Sequence, residues 1–334
     1  MTYIIAEAGV NHNGSLQTAF DLINEAKSAG ADCIKFQTFK AENLVLKSSP
    51  KANYQLKTTN KKESQYEMLK KLEISYDNFS LIKKECVKRK IDFISTPYSF
   101  EDVDFLDSIG VKYFKIASGQ LTEKPFVEYV ASKKREIILS TGMAKLNEVV
   151  EAVDIIKNQK INTFVLQCNT NYPSNISDAN LRAMITMRDA LKIPVGYSDH
   201  VSNNYASFAA VALGAVIIEK HFTLNKNNSG PDHSSSCDPQ EFKNLVYGIR
   251  NIELSLGDGI KKPSVSEMKN APSMKRSIVL KRKIKKGEVI TINDVEFKRP
   301  ANGLNPNLLY KIIGKEVIND FNKDTPLNFK MIKW

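Results

Sequence analysis

The stretch V-G-Y-S-D-H-V-S-N-N-Y-A-S-F-A-A-V-A-L-G-A-V-I-I-E-K-H-F-T, residues Val195 to Thr223, decides the fold. A short apolar run, Val195–Tyr197, ends in three polar residues, Ser198, Asp199 and His200. A helical pattern over Asn204–Leu213 follows. A second apolar run, Val216–Lys220, again closes on ionisable side chains, Glu219 and His221. Strand, helix and strand in so short a span make the repeating unit of a parallel sheet.

The same alternation continues toward the N-terminus. Apolar or β-branched runs recur at Tyr3–Ala6, Cys33–Phe36, Asp92–Ser95, Tyr113–Ile116, Ile137–Ser140 and Thr163–Gln167. Helical patterns occupy Leu16–Ser28, Asn78–Lys90, Leu146–Asn158 and Asp178–Leu191, and a last one, Pro239–Ser255, follows the eighth run. Eight strand-helix units in about 255 residues fit an α/β fold of the closed (β/α)₈ or TIM-barrel type. A doubly wound sheet usually has fewer strands and a glycine-rich first turn. The first turn here, Gly9-Val10-Asn11-His12-Asn13-Gly14, does not match G-x-G-x-x-G. The reading therefore assigns a barrel to residues 1–260, a polar linker to 261–273 and a small β-rich domain to 274–334. That last segment has strand-like runs at Ser277–Leu280, Glu288–Ile290 and Glu296–Lys298, and a turn at Lys286-Gly287.

Composition narrows the function classes. The 334 residues are 42% hydrophobic and 25% charged, which excludes a disordered, collagenous or coiled-coil chain. No run of about 18 uncharged apolar residues occurs, so no membrane association is expected. The N-terminal Met1-Thr2-Tyr3-Ile4 lacks a basic region and a long apolar region, and Cys33, Cys86, Cys168 and Cys237 are widely spaced. A cytoplasmic protein with reduced thiols is expected. The net charge of +11 comes from lysines spread along amphipathic segments such as Lys83-Lys84 and Lys88-Arg89-Lys90. No nucleic-acid motif accompanies them, so solvated faces and a basic pocket for a small anion explain the excess, and no nucleic-acid partner is expected.

Barrel chemistry collects at the C-terminal ends of strands. Those ends carry Glu7 and His12, Lys35 and Gln37, Ser95 and Thr96, Lys115, Ser118 and Gln120, Ser140 and Thr141, Asn169 and Tyr172, Ser198 to His200, and Glu219 and His221. His200 and His221 follow neighbouring strands, so two imidazoles can meet around one Mn²⁺, Zn²⁺ or Fe²⁺, with softer preference Mg²⁺ or Co²⁺. Lys35 and Lys115 lie between apolar neighbours and need an anion. That anion is either an internal carboxylate such as Glu7 or a bound phosphate or carboxylate. A Schiff base on one of them is a third option. The turns Ser118-Gly119 and Ser140-Thr141-Gly142 can turn N–H groups toward a phosphate.

Eight motifs, in order along the chain, then resemble one family. They are I-A-E-A-G-V-N-H-N-G (Ile5–Gly14), I-K-F-Q-T-F (Ile34–Phe39), I-S-T-P (Ile94–Pro97), F-K-I-A-S-G (Phe114–Gly119), I-L-S-T-G-M (Ile138–Met143), G-Y-S-D-H (Gly196–His200), E-K-H-F-T (Glu219–Thr223) and G-P-D-H (Gly230–His233). The chain resembles the sialic acid synthase family, and K-R-P-A-N-G (Lys298–Gly303) resembles its C-terminal antifreeze-like (SAF) domain.

The resemblance implies condensation of phosphoenolpyruvate with an N-acetylated hexosamine and water, giving a nine-carbon 2-keto acid and phosphate. N-acetylmannosamine giving N-acetylneuraminate is the first reading. A 2,4-diacetamido-2,4,6-trideoxyhexose giving a legionaminate or pseudaminate is the alternative, and a Schiff-base aldolase of the same fold is more distant. The resemblance further implies a divalent metal, Mn²⁺ ahead of Mg²⁺ or Co²⁺, on His200 and His221. Lys35, Lys115, Ser118 and Ser140 would seat phosphoenolpyruvate, with Thr96, Asn169, Tyr172 and Ser198 lining the pocket. Glu7, Asp232, Tyr172 and Gln120 form the expected catalytic set, and Arg299 reaches a partner's barrel in a domain-swapped homodimer. The family usually has an acid where this chain has Gln120, and a histidine where it has Gln167. If that acid moves a proton, Glu7 or Asp232 takes over the role.

Overall fold

The computed structural model describes residues 1–52 and 54–334, which divide into two units, Met1–Gly257 and Asp258–Trp334. In the first, eight parallel strands follow one another with helices between: β1 (Tyr3–Gly9), β2 (Cys33–Thr38), β3 (Asp92–Pro97), β4 (Tyr113–Ile116), β5 (Glu136–Ser140), β6 (Thr163–Cys168), β7 (Val195–Asp199) and β8 (Ile217–His221). They pair in the order β3-β2-β1-β8-β7-β6-β5-β4, and β3 lies beside β4, so the sheet curls into a barrel.

Period-two alternation divides each strand between two environments. Outward side chains such as Ala6, Ile34, Phe114, Leu139, Val165 and Ile218 pack under the helices in one large core. Inward side chains stack in layers. Tyr3, Tyr113 and Phe164 border the first, and Ile5, Cys33, Ile94, Ile138, Leu166 and Ile217 fill the centre. The third layer is polar and buried: Glu7, Lys35, Thr96, Lys115, Ser140, Cys168, Ser198 and Glu219. Gly196 occupies an inward slot of β7 where a Cβ would stand 2.5 Å from the Ile217 carbonyl oxygen and 2.7 Å from Leu166 Cδ2. Any side chain there would push β7 away from its neighbours.

Helix boundaries follow local chemistry. Ser15 caps Leu16–Ser28 by accepting the Thr18 N–H, and Ser75 caps Tyr76–Arg89 likewise. Asp238 and Glu241 form a reciprocal capping box on Pro239–Leu256. The connection from β2 to β3 differs from a simple helix: Ala41–Leu44, Gln55–Thr58 and Gln65–Lys70 precede Tyr76–Arg89. Its short helices seal a small apolar cluster, Val10, Phe39, Met68 and Leu72, with Tyr98 packed against it.

The second unit corrects two expectations. Residues 261–273, read as linker, contain most of a helix, Val265–Met274, because Ser264 and Glu267 supply a capping box. Glu288–Ile290 is not a strand; Val289 makes a single bridge to Glu316. The remaining pattern is a two-stranded antiparallel sheet, β9 (Ser277–Leu280) with β10 (Val295–Lys298), over a core of Ile278, Leu280, Ile284, Ile290, Ile312 and Leu327.

Candidate active site

The strands raise two lysines and two glutamates to the same level inside the barrel. Lys35 Nζ stands 2.7 Å from Glu7 Oε2 and 3.8 Å from Glu219 Oε2, and Lys115 Nζ is 3.3 Å from Glu219 Oε1. Glu219 also accepts from Ser198 Oγ at 3.0 Å, and Lys35 donates to Thr96 Oγ1 at 3.2 Å. Each lysine thus has an internal carboxylate partner, Glu7 for Lys35 and Glu219 for Lys115. Burial raises the pKa of Glu219, but the lysines outweigh it and bring it down to about 2. For Lys35 burial is likewise outweighed, here by Glu219 and Glu7, and its ammonium is strengthened. Lys115 shifts downward, because burial dominates and Lys35 adds repulsion. Glu7 shifts upward through burial, with Lys35 opposing and Glu219 reinforcing.

Glu7 is aimed by local backbone. The β1–β2 register shifts between Glu7 and Gly9, and Gly9 takes φ +51°. A Cβ at Gly9 would sit 3.3 Å from both Glu7 Oε1 and Gln37 Nε2, which are themselves hydrogen-bonded at 3.1 Å. Glycine suits the positive φ of the turn, and any Cβ there would crowd the ends of both side chains.

A second group gathers where β6, β7 and β8 end. The His200 and His221 ring centroids are 5.3 Å apart, and Tyr172 packs on both, at 4.2 and 5.4 Å. His200 Nδ1–H donates to the Asn169 carbonyl, leaving its Nε2 lone pair free of that bond. His221 Nδ1 is buried with no hydrogen-bond partner. A pair of imidazoles with a freed lone pair and an unpartnered buried nitrogen fits a divalent cation whose other positions go to water or substrate. Among the described residues no group of three or more His, Cys, Asp or Glu is arranged to hold an ion. His12 and His233 form a separate pair. His12 Nδ1 accepts the Gly14 N–H, His233 Nδ1 accepts from Thr223 Oγ1, and burial brings both down to about 4.

Asp232, nearly buried, is pushed up to about 7 by burial and by the Glu7 charge, so it is poised to give and take a proton near neutrality. Ser118 Oγ accepts the Gly142 N–H at 2.9 Å and contacts Cys168 Sγ at 3.7 Å. Ser140 Oγ and Asn169 Oδ1 are buried without partners. Gln120, expected in the catalytic set, has its amide engaged by backbone: Nε2 donates to the Pro97 carbonyl at 3.1 Å and Oε1 accepts the Ala117 N–H at 3.4 Å. It braces the end of β3 against the turn after β4. Gln167 points outward and donates to the Ala179 carbonyl. Arg299 belongs to the second unit, where Nε donates to the Met274 carbonyl.

Sequence reading missed Tyr98 and Cys168. Tyr98 follows Thr96-Pro97, and Cys168 takes the inward slot at the top of β6, a position that alternation alone identifies. Tyr54 lies 5.1 Å from Tyr172 between ring centroids, and its position had no periodic signal.

A family model described as "NeuB family" matches residues 22–261, and one described as "SAF domain" matches 275–333. An N,N'-diacetyllegionaminic acid synthase of Campylobacter jejuni is 47% identical, over 97% of this chain and 98% of its own. One of Legionella pneumophila is 44% identical, over 99% and 94%. A crystal structure of an N-acetylneuraminic acid synthetase from Leptospira borgpetersenii, in complex with citrate, superposes with a TM-score of 0.72 at 36% identity, covering 80% of this chain and 90% of that one.

Proposed function

Since the chain belongs to the NeuB family, we propose that it joins phosphoenolpyruvate to the open-chain form of a 2,4-diacetamido-2,4,6-trideoxyhexose, giving N,N'-diacetyllegionaminate and phosphate. Of the two sugars left open by the sequence, the diacetamido one is favoured by relatives at 44% and 47% identity over nearly the whole chain. The observation that carries the chemistry is the pair of buried lysines on a polar layer whose Ser140 and Asn169 oxygens lack protein partners.

In this reading Lys35 and Lys115 seat the phosphate and carboxylate of phosphoenolpyruvate, with Ser118, Ser140 and the Gly142 turn around them. Their carboxylate partners matter to binding. Two ammonium groups are already balanced by Glu7 and Glu219, so an incoming polyanion is favoured when Glu7 takes up a proton, as its upward shift allows. His200 and His221 would hold a divalent cation, Mn²⁺ first, which supplies Lewis acidity toward the sugar aldehyde. Tyr172, Asn169 and Thr96 orient the sugar so that the methylene carbon of phosphoenolpyruvate meets the aldehyde carbon and forms the new C–C bond. Asp232 and Glu7 handle protons: one is delivered to the aldehyde oxygen, and one is taken from the water that adds at the former enol carbon. The resulting tetrahedral carbon then breaks its bond to the phosphate oxygen while its hydroxyl becomes the keto group, and the hydroxyl proton leaves with the phosphate.

A covalent route through Lys115 is the second reading, because burial weakens its ammonium. Borohydride with pyruvate would trap a lysine adduct on that route, and EDTA would leave activity intact. For the main reading, phosphate release is measured with each candidate sugar, with and without Mn²⁺. Release that is Mn²⁺-dependent and fastest with the diacetamido sugar supports it, whereas preference for N-acetylmannosamine refutes the sugar assignment. The assembly belongs to the same proposal: a homodimer in which Arg299 serves the barrel of the other chain. Equal mixtures of Arg299→Ala and His221→Ala chains, after subunit exchange, should then regain activity that neither has alone.

A further inference from the structure

On the side of β7 and β8 that faces away from the barrel interior, Asp199 and Lys220 are directly opposed in the strand register. Lys220 Nζ, almost fully buried, donates to Asp199 Oδ2 at 2.7 Å, to the Val201 carbonyl at 2.7 Å and to the Asn203 carbonyl at 3.0 Å. All three ammonium protons are thereby placed. Asp199 is equally committed: Oδ2 also accepts from Ser207 Oγ at 2.6 Å, and Oδ1 accepts the Val201 N–H at 2.9 Å. The residue before His200 and the residue after it are therefore both bonded to the residue before His221.

Other outward positions near the strand tops are uncharged: Phe36, Ile116 and Leu139 are apolar, and Thr38 and Ser95 share a hydrogen bond at 2.7 Å. Asp199–Lys220 is thus an ion pair buried between strands and helices, whereas Lys35–Glu7 and Lys115–Glu219 face the barrel interior. A buried pair of this kind rarely stabilises a fold more than well-packed hydrocarbon of the same volume would. What it gives here is geometry, since it fixes the end of β7 and its following loop against the end of β8.

Resting on the family reading and its histidine pair, we propose that Lys220 and Asp199, braced by Ser207, act as a positioning clamp that sets the separation and aim of His200 and His221 for a divalent cation. Neither residue touches substrate. The clamp works through the backbone on either side of His200 and through the peptide link from Lys220 to His221. Lys35 and Lys115, which serve the anion, stand on β2 and β4 and meet β8 through Glu219 on its interior side, not through Lys220.

The test uses the full chain stripped of metal with EDTA. Lys220→Met, Asp199→Asn and Ser207→Ala are compared with the wild type for Mn²⁺ affinity, by the spectroscopic signal of free Mn²⁺, and for phosphoenolpyruvate affinity, by calorimetry. Thermal unfolding identifies the variants that fold. Mn²⁺ affinity is expected to drop about 10-fold in Asp199→Asn and Lys220→Met and less in Ser207→Ala, the low end of the cost for a group bonded directly to a metal ligand, because the pair acts through backbone. Phosphoenolpyruvate affinity should stay within about twofold. Should Lys220→Met fail to fold, the two milder variants decide. Unchanged Mn²⁺ affinity in folded Asp199→Asn and Ser207→Ala overturns the clamp, and so does an equal loss of Mn²⁺ and phosphoenolpyruvate. A wild-type chain that binds phosphoenolpyruvate but no Mn²⁺ would overturn the histidine-pair assignment, and the clamp with it. Normal wild-type Mn²⁺ binding with unaffected variants would overturn the clamp alone.

Discussion

The Lys35 ammonium lies 2.7 Å from the Glu7 carboxylate, and both side chains are almost completely buried. Lys35 also faces Glu219 at 3.8 Å, so one cation bridges carboxylates carried by β1 and β8. Removing it leaves two buried carboxylates facing each other with only Lys115 to compensate. A broken buried pair costs about 3–5 kcal/mol, because the surviving charge is left unsolvated.

Lys35→Met should therefore be destabilised by about that amount, and Lys35→Met/Glu7→Gln should recover part of the loss. Denaturant titration of the two single variants and the double variant reads the coupling directly. A double variant no more stable than Lys35→Met would mean that the pair is not the source of the cost.

Lys115→Met isolates the anion-binding role, since Glu219 keeps Lys35 and Ser198 as partners. Its Michaelis constant for phosphoenolpyruvate should rise on the order of 10- to 100-fold, as for a lost charged hydrogen bond, with a much smaller change for the sugar. Equal changes for both substrates would assign Lys115 to structure.

His200→Ala and His221→Ala should each abolish Mn²⁺ retention and turnover while the thermal transition stays close to that of the wild type. The rings contact each other and Tyr172, and His200 has one side-chain-to-backbone bond, to the Asn169 carbonyl, so little of the barrel depends on either. Metal content after dialysis measures retention; wild-type Mn²⁺ retention in either variant would refute the assignment.

The barrel was legible in the chain because its two periodicities are clean. Leu16–Ser28 and Leu146–Asn158 were read to the residue, since an apolar face and a polar start coincide at both. β1 runs three residues past its apolar part, through Glu7 to Gly9, because inward slots at the strand top are polar and a polar residue looks like a loop. Short helices such as Gln55–Thr58 carry too few turns for a periodic signal, so the helices of the β2–β3 excursion went unread. The candidate site was visible as a set of inward positions, but its pairing was not. Alternation places Lys35 and Glu219 inside and Lys220 and Asp199 outside; which carboxylate each ammonium meets depends on strand order and register. Gln120 needed the backbone around it, since its role is set by the carbonyl of Pro97.

Tyr98 should bear on the sugar. Its ring stands edge-on to Phe39 at 6.2 Å, and burial, then the charges of Glu7 and Asp232, hold its phenol proton firmly. A phenol kept protonated beside those acids is a donor for an acetamido or hydroxyl oxygen. Tyr98→Phe removes one oxygen and should raise the Michaelis constant for the sugar about fivefold, the effect of one neutral hydrogen bond, without moving that for phosphoenolpyruvate. An unchanged sugar constant would assign the ring to packing alone.

Asp232 gives a stability prediction with a definite sign. Its folded-state pKa is raised from 3.8 to about 7, first by burial and then by Glu7. Below pH 3.8 both folded and unfolded chains carry the protonated acid, and the residue has no differential effect. Between pH 3.8 and 7 the unfolded chain releases the proton while the folded chain retains it, so this residue lowers stability as pH rises. Above pH 7 the folded chain ionises too, and the penalty stays level at about 4 kcal/mol, from roughly three pKa units. Asp232→Asn removes the titration. In EDTA, its stability advantage over the wild type by denaturant titration should be near zero at pH 4, grow to pH 7 and level off by pH 8. The same variant should lose turnover across the whole range if Asp232 moves a proton in the reaction. A stability difference independent of pH would show that the carboxyl is ionised in the folded chain throughout, and Asp232 could then accept a proton but not deliver one.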